Sequence, residues 1–221
     1  MLEVKLEEFL RVVGEVFPKQ DVEEGEKEYD TCLGHREIWG DLSNVNENAV
    51  RRIVIPFLNK WKCRLPYECA PQLTVALRKA EPLLQPLRGF DVESTDILNP
   101  INVKGRTLRI LALIEEVFDS IQGVRAGRRT VAYTATSKIL HMSIPKFFVM
   151  SDEGIRKAYG CEGNAVGYGN FMFRMTLLAR DLVSQAQGKK EMILSCSKFR
   201  GRTLARLLDN FNYTKFTLEE A

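Results

Sequence analysis

The stretch "SKILHMSIPKFFVMSDEGIRKAYG", residues 137–160, decides how this chain is read. Its first part carries Ile139, Leu140 and Met142 at helical spacing, with Lys138 and His141 set among them. Pro145 ends that helix, because proline has no amide hydrogen to donate and pushes the residue before it out of the helical region. The apolar run 147–150 then delivers Ser151 and Asp152 to the start of a short basic helix. An Asp directly before a helix accepts from first-turn amides and complements the dipole, an effect of about 0.5–2 kcal/mol. Asp152 therefore has two roles open to it, helix cap and catalytic carboxylate, and they are not exclusive.

Working outward, the same periodicity recurs. Leu6, Phe9, Leu10, Val13, Val16 and Phe17 give a helix over 2–17 that stops at Pro18. The following "KQDVEEGEKEYDTCLGH" is so rich in charge that it reads as a surface connection. Asn44 and Glu47 form a capping-box pattern for a helix over about 45–62, with Pro56 as a kink. Further helices are expected over 71–88, 106–121, 130–143, 152–159, 169–185 and 200–211, the 106–121 segment being apolar nearly all round and hence central. Only 191–196, "EMILSC", has any strand character. The fold expected is all-α, a multi-helix domain of about eight to ten helices over residues 1–221, without internal repeat or low-complexity segment.

Composition bounds the function. The 221 residues are 45% hydrophobic and 9% aromatic, enough for a substantial core. No apolar run approaches the roughly 20 residues that cross a bilayer, and the amino-terminal pattern is acidic, which together lead us to expect a cytoplasmic protein without membrane contact. The net charge of +3 hides an asymmetry: residues 1–50 hold 5 Lys/Arg against 13 Asp/Glu, and residues 51–221 hold 27 against 16. An acidic segment packed on or tethered to a basic helical body is expected. Its basic residues either solvate helix faces, dock against the acidic segment, or meet a polyanion. Lys198, Arg200, Arg202 and Arg206 form a second basic cluster open to the same readings.

Several chemistries lack their residues. The glycines of "GCEGNAVGYGN", 160–170, follow no strand and precede no Lys-Ser/Thr, so they are a loop and not a phosphate cradle. With two His and no G-x-S-x-G elbow, a serine or cysteine nucleophile has no evident base. Cys32, His35, Cys63 and Cys69 can be written as a Cys3His zinc set, but only half of the usual close ligand pairing is present, and neither a metal nor another cofactor is expected. His141, near a helix end, suits the terminal carbonyls and, as a cation, the negative end of the dipole. Lys138 has three readings: an exposed helical lysine, a phosphate contact or a nucleophilic amine.

The series Phe148, Asp152, Ile155, Arg156, Lys157 resembles the segment of helix-hairpin-helix DNA glycosylases in which an apolar residue leads into an Asp, then an aliphatic residue and basics. Upstream, "IQGVRAGRRTVA" is similar to that family's hairpin at Gly123, Val124, Gly127 and Thr130, with Gln122 where proline is usual and two residues between Val124 and Gly127. The resemblance implies DNA as partner, base excision with Asp152 as the catalytic carboxylate, and phosphate contacts from Arg125, Arg128, Arg129, Lys138, Arg156 and Lys157. Arg129 stands where lyase-type members carry their catalytic Lys, so Schiff-base chemistry is not implied there. The stretch resembles more closely a group of prokaryotic proteins sharing K-x-L-H…P-x-x-F-V-M-x-D-x-x-I-R-x-x-Y, matched here from Lys138 to Tyr159, in which Trp commonly stands at the place of Ser151. That group implies no activity. The alternative expectation is a non-enzymatic helical module that binds another protein or its own copy, with Asp152 only a cap.

Overall fold

A computed structural model describes residues 3–15, 20–126, 129–198 and 201–218. The chain is mostly helical, as the periodicity requires, and adds two two-stranded antiparallel hairpins. Helix α1 (Leu6–Glu15) buries Phe9, Val12 and Val13. Residues 16–19, where its expected end falls, lie outside the described residues.

Helix α2 (Gln20–Leu33) replaces the expected surface connection. Glu26, Tyr29 and Cys32 recur at a spacing of three and turn one face inward, each 4% exposed or less. A carboxylate is buried there because two guanidinium groups from the far end of the chain meet it, as described below. After α3 (Arg36–Trp39), a short α4 (Glu47–Ala49) is capped by Asn46, whose side chain accepts from the Ala49 amide, and not by the expected Asn44–Glu47 box. The helix then widens to a π-turn over Val50–Val54 before α5 (Ile55–Lys60). Pro56 explains the widening: it cannot donate to the carbonyl four residues back, and its ring needs room there. Helix α6 (Ala70–Leu84) absorbs Pro82 and tightens into a 3-10 turn at Gln85–Leu87.

Strands β1 (Pro100–Val103) and β2 (Arg106–Arg109) form a hairpin where the sequence suggested a helix start at 106. Lys104 and Gly105 both take positive φ (52° and 78°), the two-residue turn that matches strand twist. Helix α7 (Ile110–Ile121) packs between α6 and α10, so it is central as expected. A second small hairpin, β3 (Arg125–Ala126) with β4 (Arg129–Thr130), leads into α8 (Tyr133–Ser143), α9 (Glu153–Ala158) and α10 (Ala165–Gln185). The strand candidate 191–196 is instead α11 (Lys190–Leu194), followed by α12 (Leu204–Tyr213) and a π-turn over Thr214–Leu218.

One apolar cluster takes in residues from Val4 to Phe211. At its middle the Phe118 and Tyr168 rings stack with centroids 4.5 Å apart, and the Tyr168 hydroxyl donates to the Val149 carbonyl (2.9 Å). Phe9 of α1 meets Phe211 of α12 at 5.2 Å, bringing residues near the two ends of the chain together. Among the described residues no helix is long and apolar enough to cross a membrane.

Candidate nucleic-acid interface

The short β3–β4 hairpin joins α7 to α8. The hairpin is closed by Gly123 N–H to Val131 O (3.0 Å) and Val131 N–H to Val124 O (2.9 Å). Gly123 has φ +82°, a value that favours glycine at this entry. Below the hairpin an open cleft of about 590 Å³ lies between the end of α7, the start of α8 and α9. Ala132, Tyr133 and Thr134 at the start of α8 line it, and no side chain caps that helix, so the positive end of its dipole faces the cleft. Arg156 enters from α9, its Nη1 donating to the Cys161 carbonyl (3.0 Å) and its guanidinium carbon 5.9 Å from the Tyr133 ring centre.

Two carboxylates share the cleft wall, Asp119 and Glu153. Lys157 pairs with Glu153 at 2.7 Å and holds its carboxyl below the usual range. The described part of the hairpin adds one cation, Arg125. Arg125 is exposed there. Arg128 lies outside the described residues, and of Arg129 only the backbone, in β4, is described.

Asp152 sits at the amino end of α9 with extended backbone (φ −109°, ψ −171°). Its Oδ1 accepts from the Ile155 amide (2.9 Å), and its Oδ2 accepts from the Thr217 hydroxyl (2.9 Å). Both oxygens are therefore engaged by the protein itself. Gly154 allows this seal, since a Cβ there would lie 2.7 Å from the Phe216 carbonyl oxygen.

Lys138 is not with the other cations. It is 9% exposed, its Nζ donates to the Trp61 carbonyl (2.8 Å), and it lies 5.3 Å from the Trp61 ring centre. A phosphate at the hairpin is out of its reach, because the ammonium points into the protein from the buried side of α8. Burial pushes its pKa down, opposed by Cys63, Asp209 and Asp152. His141 also departs from its expected role. It is fully buried, its Nδ1 lies 2.6 Å from the Phe148 carbonyl, and its Nε2 lies 2.9 Å from the Tyr29 hydroxyl. A carbonyl can only accept, so Nδ1 carries the hydrogen and Nε2 accepts from Tyr29. Burial, then the nearby Arg206 cation, pushes the imidazole down to about 3, so it is neutral and not the cation proposed for a helix end.

Beside it runs an ionic cluster that the sequence pattern did not reveal. Glu26 accepts from Arg202 (Nη2, 2.6 Å; Nε, 2.7 Å) and from Arg206 (Nη2, 2.5 Å). Arg202 also pairs with Asp30, and Arg206 with Asp209. The Arg206 guanidinium lies over the rings of Tyr29 (4.6 Å) and Trp61 (4.9 Å). Burial pushes Asp209 up to about 7, with Arg206 and Lys138 opposing it. Of the second basic cluster only Lys198 is exposed among the described residues, while Arg202 and Arg206 are internal. The one available signal was the pairing of excess acid before residue 50 with excess base after it.

The Cys3His set does not assemble: His35 pairs with Glu37 (3.1 Å), and among the described residues no group of three or more His, Cys, Asp or Glu is placed to hold a metal. Comparison with protein-family models, curated proteins and solved structures returns no match.

Proposed function

We propose that this protein binds DNA through the hairpin between α7 and α8, with the phosphate backbone as its principal contact and Asp152 serving as a cap. The observation that carries the reading is the uncapped amino end of α8, opening beside Arg156 at the base of a hairpin that bears Arg125, Arg128 and Arg129. Backbone amides at a helix start and planar guanidinium groups are both suited to phosphate oxygens. The resemblance to the helix-hairpin-helix segment points the same way. Lys138 is left out of the contact set because it is buried, and Lys157 is committed to Glu153.

Base excision gains no support from the carboxylate that the resemblance would assign to it. A carboxylate that stabilises a sugar cation or orients a water needs an oxygen turned toward substrate. Each oxygen of Asp152 already accepts one hydrogen bond from the protein, Oδ1 from Ile155 and Oδ2 from Thr217. This favours a non-enzymatic module over a glycosylase.

The test is binding of the purified protein to duplex and single-stranded DNA across a salt series. Each arginine that neutralises a phosphate contributes about one unit to the slope of log affinity against log salt. An Arg125→Ala/Arg128→Ala/Arg129→Ala variant is expected to bind more weakly with a shallower slope. Absence of binding at low salt, or an unchanged slope in the variant, sinks the proposal. Excision of a damaged base by wild type but not by Asp152→Asn would overturn the cap assignment alone.

A further inference from the structure

We propose that Cys63 and Lys138 form a peroxide-driven covalent link, a sulfenamide joining Sγ to Nζ. Three independent features converge on this pair. Lys138 Nζ lies 3.8 Å from Cys63 Sγ, and both atoms face the Trp61 carbonyl, at 2.8 Å and 3.8 Å respectively. The residues on either side of Cys63 are held in the left-handed region, Lys62 at φ 63° and Arg64 at φ 54°. Side chains rarely adopt such values, and strained backbone of this kind clusters where a group is being aimed. Finally, Cys63 is partly exposed while Lys138 is buried, so the solvent side of the pair is the cysteine.

Burial shifts both groups toward their neutral forms: the Cys63 thiol is pushed up and the Lys138 ammonium down. Once an amine so placed gives up its proton, it is both a base for the thiol proton and a nucleophile toward oxidised sulfur. In the first step the sulfur attacks one oxygen of hydrogen peroxide. The S–O bond forms, the O–O bond breaks, and the thiol proton passes through Lys138 to the departing hydroxide, giving sulfenic acid and water. In the second step the Lys138 lone pair attacks sulfur. The N–S bond forms, the S–O bond breaks, and hydroxide leaves with an amine proton as a second water. Sulfur loses two electrons and the peroxide gains them. Two equivalents of an added thiol reverse the link, restoring thiol and amine and leaving their own disulfide.

Among the other cysteines, Cys32, Cys69 and Cys161 are buried, which leaves Cys63 and Cys196 as the partly exposed ones. The link would tie the loop before α6 to the middle of α8, 75 residues further along the chain.

The folded protein is treated with hydrogen peroxide, digested without reductant, and its peptides are mapped by mass spectrometry. The expected product is the Cys63 peptide joined to the Lys138 peptide, about 2 Da lighter than their sum, and separated by dithiothreitol. It should be absent from Cys63→Ser and from Lys138→Arg, whose guanidinium is not nucleophilic. Cys63 recovered as sulfinic or sulfonic acid, or in a disulfide, with Lys138 still a free amine would overturn the proposal. So would a Cys63 that peroxide leaves unoxidised. Because these outcomes are read on the wild-type chain, they stand even if a variant fails to fold.

Discussion

Replacing Glu26 by Ala tests the least expected contact of the fold. Glu26 is 1% exposed and accepts three guanidinium N–H groups, two from Arg202 and one from Arg206. Deleting one partner of a buried ion pair typically costs about 3–5 kcal/mol, because the charge left behind can neither be paired nor hydrated. Here Arg202 keeps Asp30 and Arg206 keeps Asp209, so the expected loss is near the lower end, about 3 kcal/mol. Against a total stability on the order of 5–15 kcal/mol, that is a large fraction. With a urea slope of about 2–3 kcal/mol/M, the midpoint should fall by about 1–1.5 M. Glu24→Ala, at an exposed position on the same helix, provides the comparison and should shift the midpoint by no more than about 0.5 kcal/mol equivalent. Combining Glu26→Ala with Arg206→Met should cost less than the sum of the two changes by about 1 kcal/mol or more, since both changes remove the same Glu26–Arg206 pair. A Glu26→Ala loss no larger than that of Glu24→Ala would refute the docking of α2 against α12.

Three further outcomes are expected. An unfolded histidine titrates near 6.5 and His141 in the fold near 3, so between these values the unfolded chain binds the extra proton and stability falls as pH is lowered. Denaturation at pH 7.5 and pH 5 should therefore show His141→Gln losing less than wild type does, by about 2 kcal/mol; Asp209, raised to about 7, runs the opposite way but is common to both proteins. Asp152→Ala should destabilise by about 1–2 kcal/mol, and Asp152→Asn by less, with DNA affinity unchanged in both; a selective loss of affinity would give the carboxylate more than a capping role. Gly154→Ala places a Cβ 2.7 Å from the Phe216 carbonyl, so it should cost about 1–3 kcal/mol and speed proteolysis of residues 214–218, whereas a silent substitution would mean that this segment is not seated on α9.

The parts of the fold that were legible are those where apolar spacing and position in the core agree. Leu113, Ile114, Val117 and Phe118 mark α7 as central, and Asp152 ahead of Ile155 marks the start of α9. Helix α2 was illegible because its inward face carries Glu26, and charge in a window is read as exposure unless the partner is known. That partner lies 176 and 180 residues away. The strands of the two hairpins were missed for a different reason: two to four residues do not span enough alternation to show a period, and Lys104–Gly105 is a turn signal of only two residues. Lys138 was placed on the right helix but read first as exposed, since α8 is buried around most of its circumference and a polar residue in it has no polar face to occupy. Of the candidate interface, the run of arginines could be seen in the sequence, while the cleft beneath it depends on how α7, α8 and α9 meet.

The ionic cluster also sets an order of events during synthesis. Helix α2 leaves the ribosome long before Arg202 and Arg206, the cations that Glu26 meets in the fold, exist. Until α12 is made, Glu26 must stay hydrated, and the faces of Phe9 and Phe211 wait on the same event. Contacts between such distant residues form late, after the loop entropy between them has been overcome. The middle of the chain can assemble first, around α6, α7 and α10, while the acidic segment before residue 50 stays hydrated, its charge opposing association of an unfinished protein through its apolar faces.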